Sequence, residues 1–416
     1  MSETFRSLQV RNFRLFFGGQ LISQIGNWVT LVAQTLLVLE LTDSGVALGF
    51  LAAAQFGPVL LFGAFAGLVA DRSDKRKLLL AVQIFAMFQS FALAALATLD
   101  HPPLGAVYAI AIFGGVATAF DNPARRSFVV EMVPEDHVNN AVSLNSALMT
   151  SSRIFGPALA GILVATVGFS GAFLVDGLSY VAVIVGYGMM DTTKLRRSPV
   201  APRGKGQVRE GVRYARSIPE VWLPLVMMAV IGTLAFNFAT VLPLFATRDL
   251  AGSDLTFTLL MSATSIGSLA GALLAARRKS VDVRLVCTSA MGFGVAMALL
   301  AVAPNQAVAF LVAPLMGFTS ISWMTASTTI VQLAATPTMR GRVLALQAMV
   351  FLGSTPIGGP IVGFVSEHLG ARWGIGLGAS ATLLTAAYGF AAVRRNRAIP
   401  VESSAVDVAV DEAIAS

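Results

Sequence analysis

Long apolar stretches separated by short polar loops dominate the pattern along this chain of 416 residues. A helix needs roughly 20 apolar residues to cross the hydrocarbon core of a bilayer, which is about 30 Å thick, and each stretch is close to that length. The pattern therefore predicts an all-α membrane protein with about twelve transmembrane helices. The predicted spans are residues 13–39, 46–70, 77–99, 104–127, 139–167, 171–189, 219–247, 255–276, 283–303, 307–333, 343–367 and 372–393.

The basic residues fall in alternate loops. If the N-terminus lies in the cytoplasm, almost all of the 29 Lys and Arg residues lie in cytoplasmic segments. Only Arg248 and Arg372 are then outside, and Arg153 lies within the fifth span. An excess of Lys and Arg in cytoplasmic loops sets the orientation of membrane proteins. We therefore predict a multi-pass protein of the cell (inner) membrane with both termini in the cytoplasm.

Composition agrees with a membrane protein. The chain is 56% hydrophobic and 12% charged, far from the balance of a soluble domain. The net charge of +7 is spread over membrane-edge loops, so it predicts contact with anionic lipid head groups and no nucleic-acid partner. We expect the lone Cys287 to be a small buried hydrophobe. We also expect the acidic residues at the outer edges to be solvated loop charges; these are Glu40, Asp43, Asp249 and Glu367.

The chain divides into two similar halves. We predict an N-terminal six-helix bundle at 1–190, a cytoplasmic linker at 191–218, a C-terminal six-helix bundle at 219–393 and a cytoplasmic tail at 394–416. The linker is basic, with an amphipathic piece around 207–217. Two sets of landmarks recur in both halves: Gly63-x3-Gly67 with Gly267-x3-Gly271, and Pro134, Gly156 and Pro157 with Pro337, Gly359 and Pro360. Two parallel six-helix repeats with a site between them are one architecture of secondary transporters, although small residues also serve close helix packing.

The loop after the second span reads GLVADRSDKRK over residues 67–77. This resembles the signature loop of the major facilitator superfamily and lies where that family has it. The resemblance implies the major facilitator fold, in which Asp71 meets the start of the eleventh span near Gly341 and Arg342. It also implies that Arg72 pairs with an acid at the inner end of the fourth span, for which Asp121 is the candidate.

These contacts would form a gate on the cytoplasmic side that closes when the protein opens outward. The gate would comprise Gly67, Asp71, Arg72, Arg76 and Asp121. A solvated turn with topology-setting charges is the alternative.

Gly156, Pro157 and Gly161 in the fifth span resemble the antiporter signature of drug-exporting members of the superfamily. Proline bends a helix, and glycine leaves space for a neighbouring helix. The resemblance implies a kinked contact, formed at Gly156 and Pro157, that prevents leakage and favours export. A kink without directional meaning is the alternative.

The segment FDNPARR at 120–126 and the Asn-rich start of the fifth span resemble a narrower branch. That branch includes enterobactin-exporter-like and macrolide-efflux-like proteins. The resemblance covers essentially the whole chain and is strongest over residues 11–165. One departure is that Phe113, Gly114 and Gly115 stand in the middle of the fourth span, where drug exporters have an Arg.

Two charges lie well inside the predicted hydrocarbon, Arg153 and Asp176. Intramembrane ions are costly and usually face the bundle interior or a wet cavity. We hypothesise that the two sense one another and that Asp176 takes up a proton when the site opens outward. A structural role for Asp176 is the alternative.

Polar and aromatic residues near the middle of the spans predict a substrate pocket. Ligand sites of this kind are mainly apolar with a few placed polar groups. The predicted substrate-binding residues are Gln24, Asn27, Gln55, Asn145, Asn237 and Trp323.

Enzyme signatures are missing from the sequence. It has no phosphate-binding loop, no nucleophile elbow and no cluster of metal ligands, so we expect no cofactor, no metal and no catalysis. We predict a monomeric exporter of a small amphipathic molecule, such as a drug, a siderophore or another metabolite, driven by proton antiport and surrounded by membrane lipids. The alternatives are a lipid or lysophospholipid flippase and a non-transporting membrane sensor or scaffold.

Overall fold

The structure, a computed structural model, describes residues 3–196, 207–278 and 281–397, and the long elements in these ranges are helices. In chain order the α-helices are α1 (Arg11–Thr42), α2 (Gly45–Arg72), α3 (Lys75–Leu96), α4 (Leu104–Glu131), α5 (Val138–Gly188), α6 (Gln207–Ser217), α7 (Pro219–Leu234), α8 (Phe238–Leu244), α9 (Asp254–Ala276), α10 (Val283–Ala301), α11 (Gln306–Ala334), α12 (Pro337–Leu369) and α13 (Ala371–Arg397). A π-helical turn, Phe245–Asp249, follows α8.

Side chains at the polar loops fix where several helices begin. Ser44 and Asp74 accept a hydrogen bond from the backbone N–H three residues on, at the starts of α2 and α3. Asp282 and Asn305 do the same for α10 and α11. These caps satisfy backbone donors that a helix leaves free at its first turn.

Eleven helical stretches in the described residues are long and apolar enough to cross a membrane. Large apolar side chains cover their outer surfaces; Leu61 and Leu311, for example, are 74% and 78% exposed. Such a surface would be unfavourable in water but suits lipid, where helices satisfy their own backbone groups. The chain is therefore a multi-pass membrane protein.

The longest helix, α5, contains a sharp break. Gly168 has φ 71° and ψ 178°, a backbone conformation that residues with a Cβ rarely adopt. The predicted fifth and sixth spans, 139–167 and 171–189, lie on either side of this glycine. A straight helix of 51 residues would be about 76 Å long, far more than one bilayer crossing requires.

The predicted seventh span is also interrupted. Helices α7 and α8 are separated at Asn237, which has non-helical φ and ψ angles. Its side chain donates a hydrogen bond to the carbonyl oxygen of Thr233, one turn back, at 2.7 Å. The side chain thereby occupies a carbonyl at the end of α7 that would otherwise lack a partner.

Two helix pairs form the largest contacts between residues 3–190, the first half, and residues 219–397, the second half, and α8 also contacts α1 and α2. Helix α2 packs along α12, and α5 packs against α9. A Cβ placed on Gly49 of α2 would lie 2.5 Å from the carbonyl oxygen of Gly359 on α12. The backbones of the two halves are therefore in direct contact at this point.

The repeated glycine pairs differ in their surroundings. Gly267 and Gly271 of α9 contact the backbone of α11 at Pro314 and Phe318, as expected for close helix packing. A Cβ on Gly63 or Gly67 of α2 would have no neighbour within 4 Å. The packing role is thus found for the second-half pair and not for the first-half pair.

The linker contains a short helix, α6, at the position of the predicted amphipathic piece. Glu210 of α6 forms an ion pair with Arg342 near the start of α12, at 2.7 Å. Arg342 therefore contacts the linker instead of Asp71, its predicted neighbour. The rest of the linker, residues 197–206, and the predicted tail beyond residue 397 lie outside the described residues.

Candidate functional site

A cavity of about 240 Å³ lies among α1, α2, α3, α4 and the second arm of α5. All of its lining residues belong to the first half. Its apolar wall includes Trp28, Leu31 and Phe56. The polar side chains that line it are Gln24, Asn27, Thr30, Gln34, Gln55, Gln83, Gln89, Thr118, Asp121, Asn122, Arg125 and Tyr180.

Helix α1 contributes a row of amides. Gln20, Gln24, Asn27 and Gln34 are spaced four, three and seven residues apart, which places them on one face of a helix. Gln24 donates to the side-chain oxygen of Gln20 at 2.9 Å. This spacing can be read from the sequence, and it identifies the face of α1 that lines the cavity.

An ion pair on α4 lies in the cavity wall. Nε of Arg125 is 3.0 Å from a carboxylate oxygen of Asp121, one turn earlier on the helix. Gln83 of α3 donates to the other carboxylate oxygen at 2.9 Å, and Arg125 also donates to Asn122 at 3.2 Å. The Arg125 and Asp121 side chains are only 10% and 15% exposed, so the two charges neutralise each other where water is scarce.

The signature loop predicted a different partner for Asp121 in the conformation that opens outward. Asp121 pairs with Arg125 and not with Arg72. The side chains of Asp71 and Arg72 are exposed in this conformation. A Cβ on Gly67 or on Gly341 would meet nothing within 4 Å, so the predicted contact between α2 and the start of α12 is not made here.

Arg76, the remaining member of the predicted gate in this loop, holds the end of α5. It donates to the carbonyl oxygens of Tyr187 and Gly188 at 2.6 and 3.2 Å. A cation at this position satisfies free carbonyls and opposes the negative end of the helix dipole. Beside it, Lys75 forms a buried ion pair with Glu131 at 2.6 Å, which ties α3 to α4.

The opposite end, predicted to be external, is closed by an ion pair and a hydrogen bond between the halves, together with an ion pair within the second half. Arg248 of the second half lies 3.3 Å from the carboxylate of Asp43 in the first half and 3.7 Å from that of Glu367. Glu367 in turn accepts a hydrogen bond from the backbone N–H of Gly45 at 2.6 Å. We call these residues the outer network.

The expectation that Glu367 is a solvated loop charge is therefore wrong, since its side chain is paired and 29% exposed, whereas Asp43 stays 77% exposed although it is paired. Asp249 is also paired, with Arg372 at 3.4 Å. Together with the backbone contact at Gly49 and Gly359, these pairs close one end of the molecule, whereas Gly67 and Gly341 have free space at the other.

Asp176 is completely buried and is bound by hydroxyl groups. Its carboxylate accepts hydrogen bonds from Thr30 at 2.5 Å, Ser90 at 2.7 Å and Ser179 at 3.4 Å. Thr30 also lines the cavity, so one hydroxyl separates the carboxylate from the cavity wall. Arg153 has an exposed side chain, and although both residues are described, no ion pair joins it to Asp176. The two charges are therefore not directly paired in this conformation.

Three of the six predicted substrate-binding residues line the cavity: Gln24, Asn27 and Gln55. Asn27 accepts a hydrogen bond from the Tyr180 hydroxyl at 2.7 Å, and Gln55 donates to Gln34 at 2.9 Å.

The other three, Asn145, Asn237 and Trp323, are not among its lining residues. Trp323 is fully buried and packs against Phe236, with ring centroids 5.9 Å apart. Phe293 and Phe351 pack around the same Phe236 ring. Trp323 thus belongs to a packed aromatic cluster around Phe236 in the second half.

The Gly-Pro pair of α5 lies at a close helix contact. Gly156 and Pro157 are both buried, and a Cβ on Gly156 would overlap the side chain of Trp28 on α1. Met149, Arg153 and Gly156 are four and three residues apart, so Arg153 lies on the face of α5 that approaches α1 and α4.

Comparison with known proteins identifies relatives that cover nearly the whole chain. Residues 2–412 match the family described as "Transmembrane secretion effector". The chain is 24% identical over 362 residues to the staphyloferrin A transporter of Staphylococcus aureus, covering 86% of this chain and 90% of the relative. It is 21% identical over 366 residues to macrolide efflux protein A of Streptococcus pyogenes, with the same coverage of 86% and 90%. It is 25% identical over 365 residues to the multidrug efflux pump Tap of Mycolicibacterium fortuitum, covering 83% and 87%.

Solved structures share the fold at low sequence identity. A bacterial homolog of the human lysosomal transporter Spinster, in an inward-facing and unoccupied conformation, has a TM-score of 0.76 at 15% identity, covering 95% of this chain and 98% of that one. A D-xylose-proton symporter has a TM-score of 0.68 at 15% identity, covering 92% and 96%. At this identity the likeness shows the fold alone.

Proposed function

The chain belongs to the transmembrane secretion effector family of the major facilitator superfamily, and we propose that it exports a small amphipathic molecule by alternating access. Its family and its relatives are membrane transporters, so the chain is a membrane transporter and not an enzyme. The observation that carries the proposal is a polar cavity inside a helical bundle whose two ends differ. One end is held shut by the outer network, and the other has free space around Gly67 and Gly341.

We propose twelve crossings arranged as two parallel six-helix repeats, at 1–190 and 219–393. The break at Gly168 supports this count, because it divides the longest of the eleven candidate stretches into two arms of crossing length. The recurring landmarks support the repeat. With an even number of crossings, both termini would lie on the same side, and the distribution of basic residues supports the cytoplasm as that side.

The gate proposed for the cytoplasmic side uses the exposed signature loop. When the protein opens outward, Asp71 and Arg72 would move toward α12 near Gly341, and the outer network would separate. The free space around Gly67 supports this role, since packing in the present conformation does not explain the glycine. The contact at Gly156 and Pro157 would hold α5 against α1 through the movement.

A proton gradient is the proposed energy source. Moving one charge through 100 mV is worth about 2.3 kcal/mol, which can sustain a substrate gradient of about 50-fold. Asp176 is the proposed proton carrier. A hydroxyl can donate to a carboxylate or accept from a carboxyl group, so Thr30, Ser90 and Ser179 can satisfy both protonation states of this buried residue.

The proposed substrate-binding residues are those that the cavity brings together: Gln24, Asn27 and Gln55 from the sequence prediction, with Gln83, Asn122 and Arg125 added by the structure. The names of the relatives point to siderophores and macrolides as substrates to test first.

The direct test is uptake by inside-out membrane vesicles made from cells that overproduce the protein. Upon acidification of their interior, the vesicles should accumulate a radiolabelled macrolide or siderophore about tenfold or more, because one exchanged proton suffices for that gradient. A protonophore should abolish the accumulation, and vesicles from cells without the protein serve as the control. Accumulation that survives the protonophore would contradict proton antiport. Movement of a labelled lysophospholipid, with none of the other substrates moved, would favour the flippase.

A further inference from the structure

We infer that the first-half cavity binds an uncharged substrate head group that carries hydroxyl or amide groups. The inference rests on the proposed export function and specifies which substrates the cavity selects.

Amide side chains from four helices face this cavity. Gln24 and Asn27 come from α1, Gln55 from α2, Gln83 from α3 and Asn122 from α4. A carboxamide offers donors and an acceptor without a net charge. A ring of such groups is complementary to hydroxyl, carbonyl and amide groups, which also donate and accept without charge.

The cavity has no uncompensated charge to offer a charged ligand. Its acidic and basic side chains, Asp121 and Arg125, are 3.0 Å apart and largely buried. A carboxylate ligand would have to displace Asp121 from Arg125, and an ammonium ligand would have to displace Arg125 from Asp121. Breaking a buried pair leaves one of its charges uncompensated, which is strongly unfavourable.

Gln83 supplies a specific anchor. Its side chain is 4% exposed, and its amide nitrogen donates to Asp121 at 2.9 Å. This bond fixes the orientation of the carboxamide. No described protein group donates to its side-chain oxygen, although that oxygen is buried and the residue lines the cavity. A buried acceptor without a partner is unfavourable, so a shift of the Gln83 side chain that turns this oxygen toward a ligand O–H or N–H in the cavity is favoured.

The size of the cavity indicates a head group and not a whole drug-sized molecule. The cavity has a volume of about 240 Å³. Sites that enclose complete ligands have volumes of about 300–1,000 Å³. The rings of Trp28 and Phe56 in the wall would contact the apolar part next to the head group.

The test compares three fluorescent probes that share a dansyl group and a hexyl linker. One ends in a gluconamide, one in a carboxylate and one in a trimethylammonium group. Equilibrium binding to the purified protein in lipid nanodiscs is measured by fluorescence anisotropy, and nonspecific binding is subtracted by competition with unlabelled hexyl gluconamide. We expect the gluconamide probe to bind at least tenfold more tightly than either charged probe.

The variant Gln83→Met should weaken gluconamide binding about tenfold, because it removes the acceptor and keeps the approximate volume. Gln347→Met is the matched control. Gln347 is also buried, but it lies on α12, donates to Thr328 and does not line the cavity. This control should change the affinity less than twofold. If Gln83→Met fails to fold, Gln55→Met takes its place with the same expected direction.

The inference is overturned if a charged probe binds as tightly as the gluconamide, if no probe binds, or if the cavity variants retain full affinity. The measurement needs no ion gradient and no transport. Failure of proton-driven export in vesicles would therefore be a separate result, which refutes the proposed function without deciding the head-group preference.

Discussion

The variant Asp176→Asn is expected to reduce proton-driven accumulation of substrate at least tenfold. Exchange of substrate across the membrane should remain intact. Asn keeps the size of the side chain and can still accept hydrogen bonds from Thr30 and Ser90. It cannot exchange a proton, so the coupling is lost without loss of the fold. A buried carboxylate that served only a structural role would instead change the unfolding temperature and leave coupling unaffected.

Two vesicle assays separate these outcomes. One measures accumulation driven by a proton gradient, and the other measures exchange of labelled for unlabelled substrate without a gradient. Asp191→Asn is a suitable control, because hydrogen bonds from Thr193 hold the pKa of this loop carboxyl below its usual range. Asp191 therefore stays ionised near neutral pH and carries no proton. Full accumulation by Asp176→Asn would refute the assignment.

The variant Gly49→Ala should reduce export at least fivefold. The added Cβ would lie 2.5 Å from the carbonyl oxygen of Gly359 and 2.8 Å from Cα of Pro360, so α2 and α12 would have to separate. Overpacking of this kind costs about 1–3 kcal/mol, which corresponds to about a 5- to 150-fold shift between two conformations. The conformation closed at the outer network would lose population, and the transport cycle would stall.

Gly57→Ala is the matched control for this variant. Gly57 lies on the same helix, eight residues further on, and a Cβ there would meet nothing within 4 Å. Export rates in vesicles and thermal unfolding midpoints of both purified variants decide the outcome. Equal export by the two variants would show that the contact at Gly49 does not matter for the cycle.

Much of the fold was predictable because membrane helices follow from local composition. The apolar spans and the signature loop were sufficient to identify the superfamily, and the family match confirms that resemblance. The outer network was not predictable, because Asp43, Arg248 and Glu367 lie far apart in the sequence. Only the packing of α2 against α12 brings these three charges together.

The candidate site was only partly predictable. Gln24 and Asn27 were predicted from their position near the middle of the first span, and both line the cavity. Arg125 was not among the predicted site residues, because basic residues near helix ends usually set the orientation of membrane proteins. The burial of Trp323 could not be foreseen either, since it depends on aromatic neighbours from other helices such as Phe293.

Alternating access is the central claim, and paired spin-label distances test it most directly. In a Cys287→Ser background, labels at Lys77 and Arg340 report the predicted cytoplasmic end, and labels at Glu40 and Leu369 report the predicted external end. All four side chains are exposed, so the labels should not disturb the packing. As pH or substrate is varied, the account predicts two distances for each pair, with a short cytoplasmic distance always accompanying a long external one. A single fixed distance at both ends, or distances that lengthen together, would contradict it.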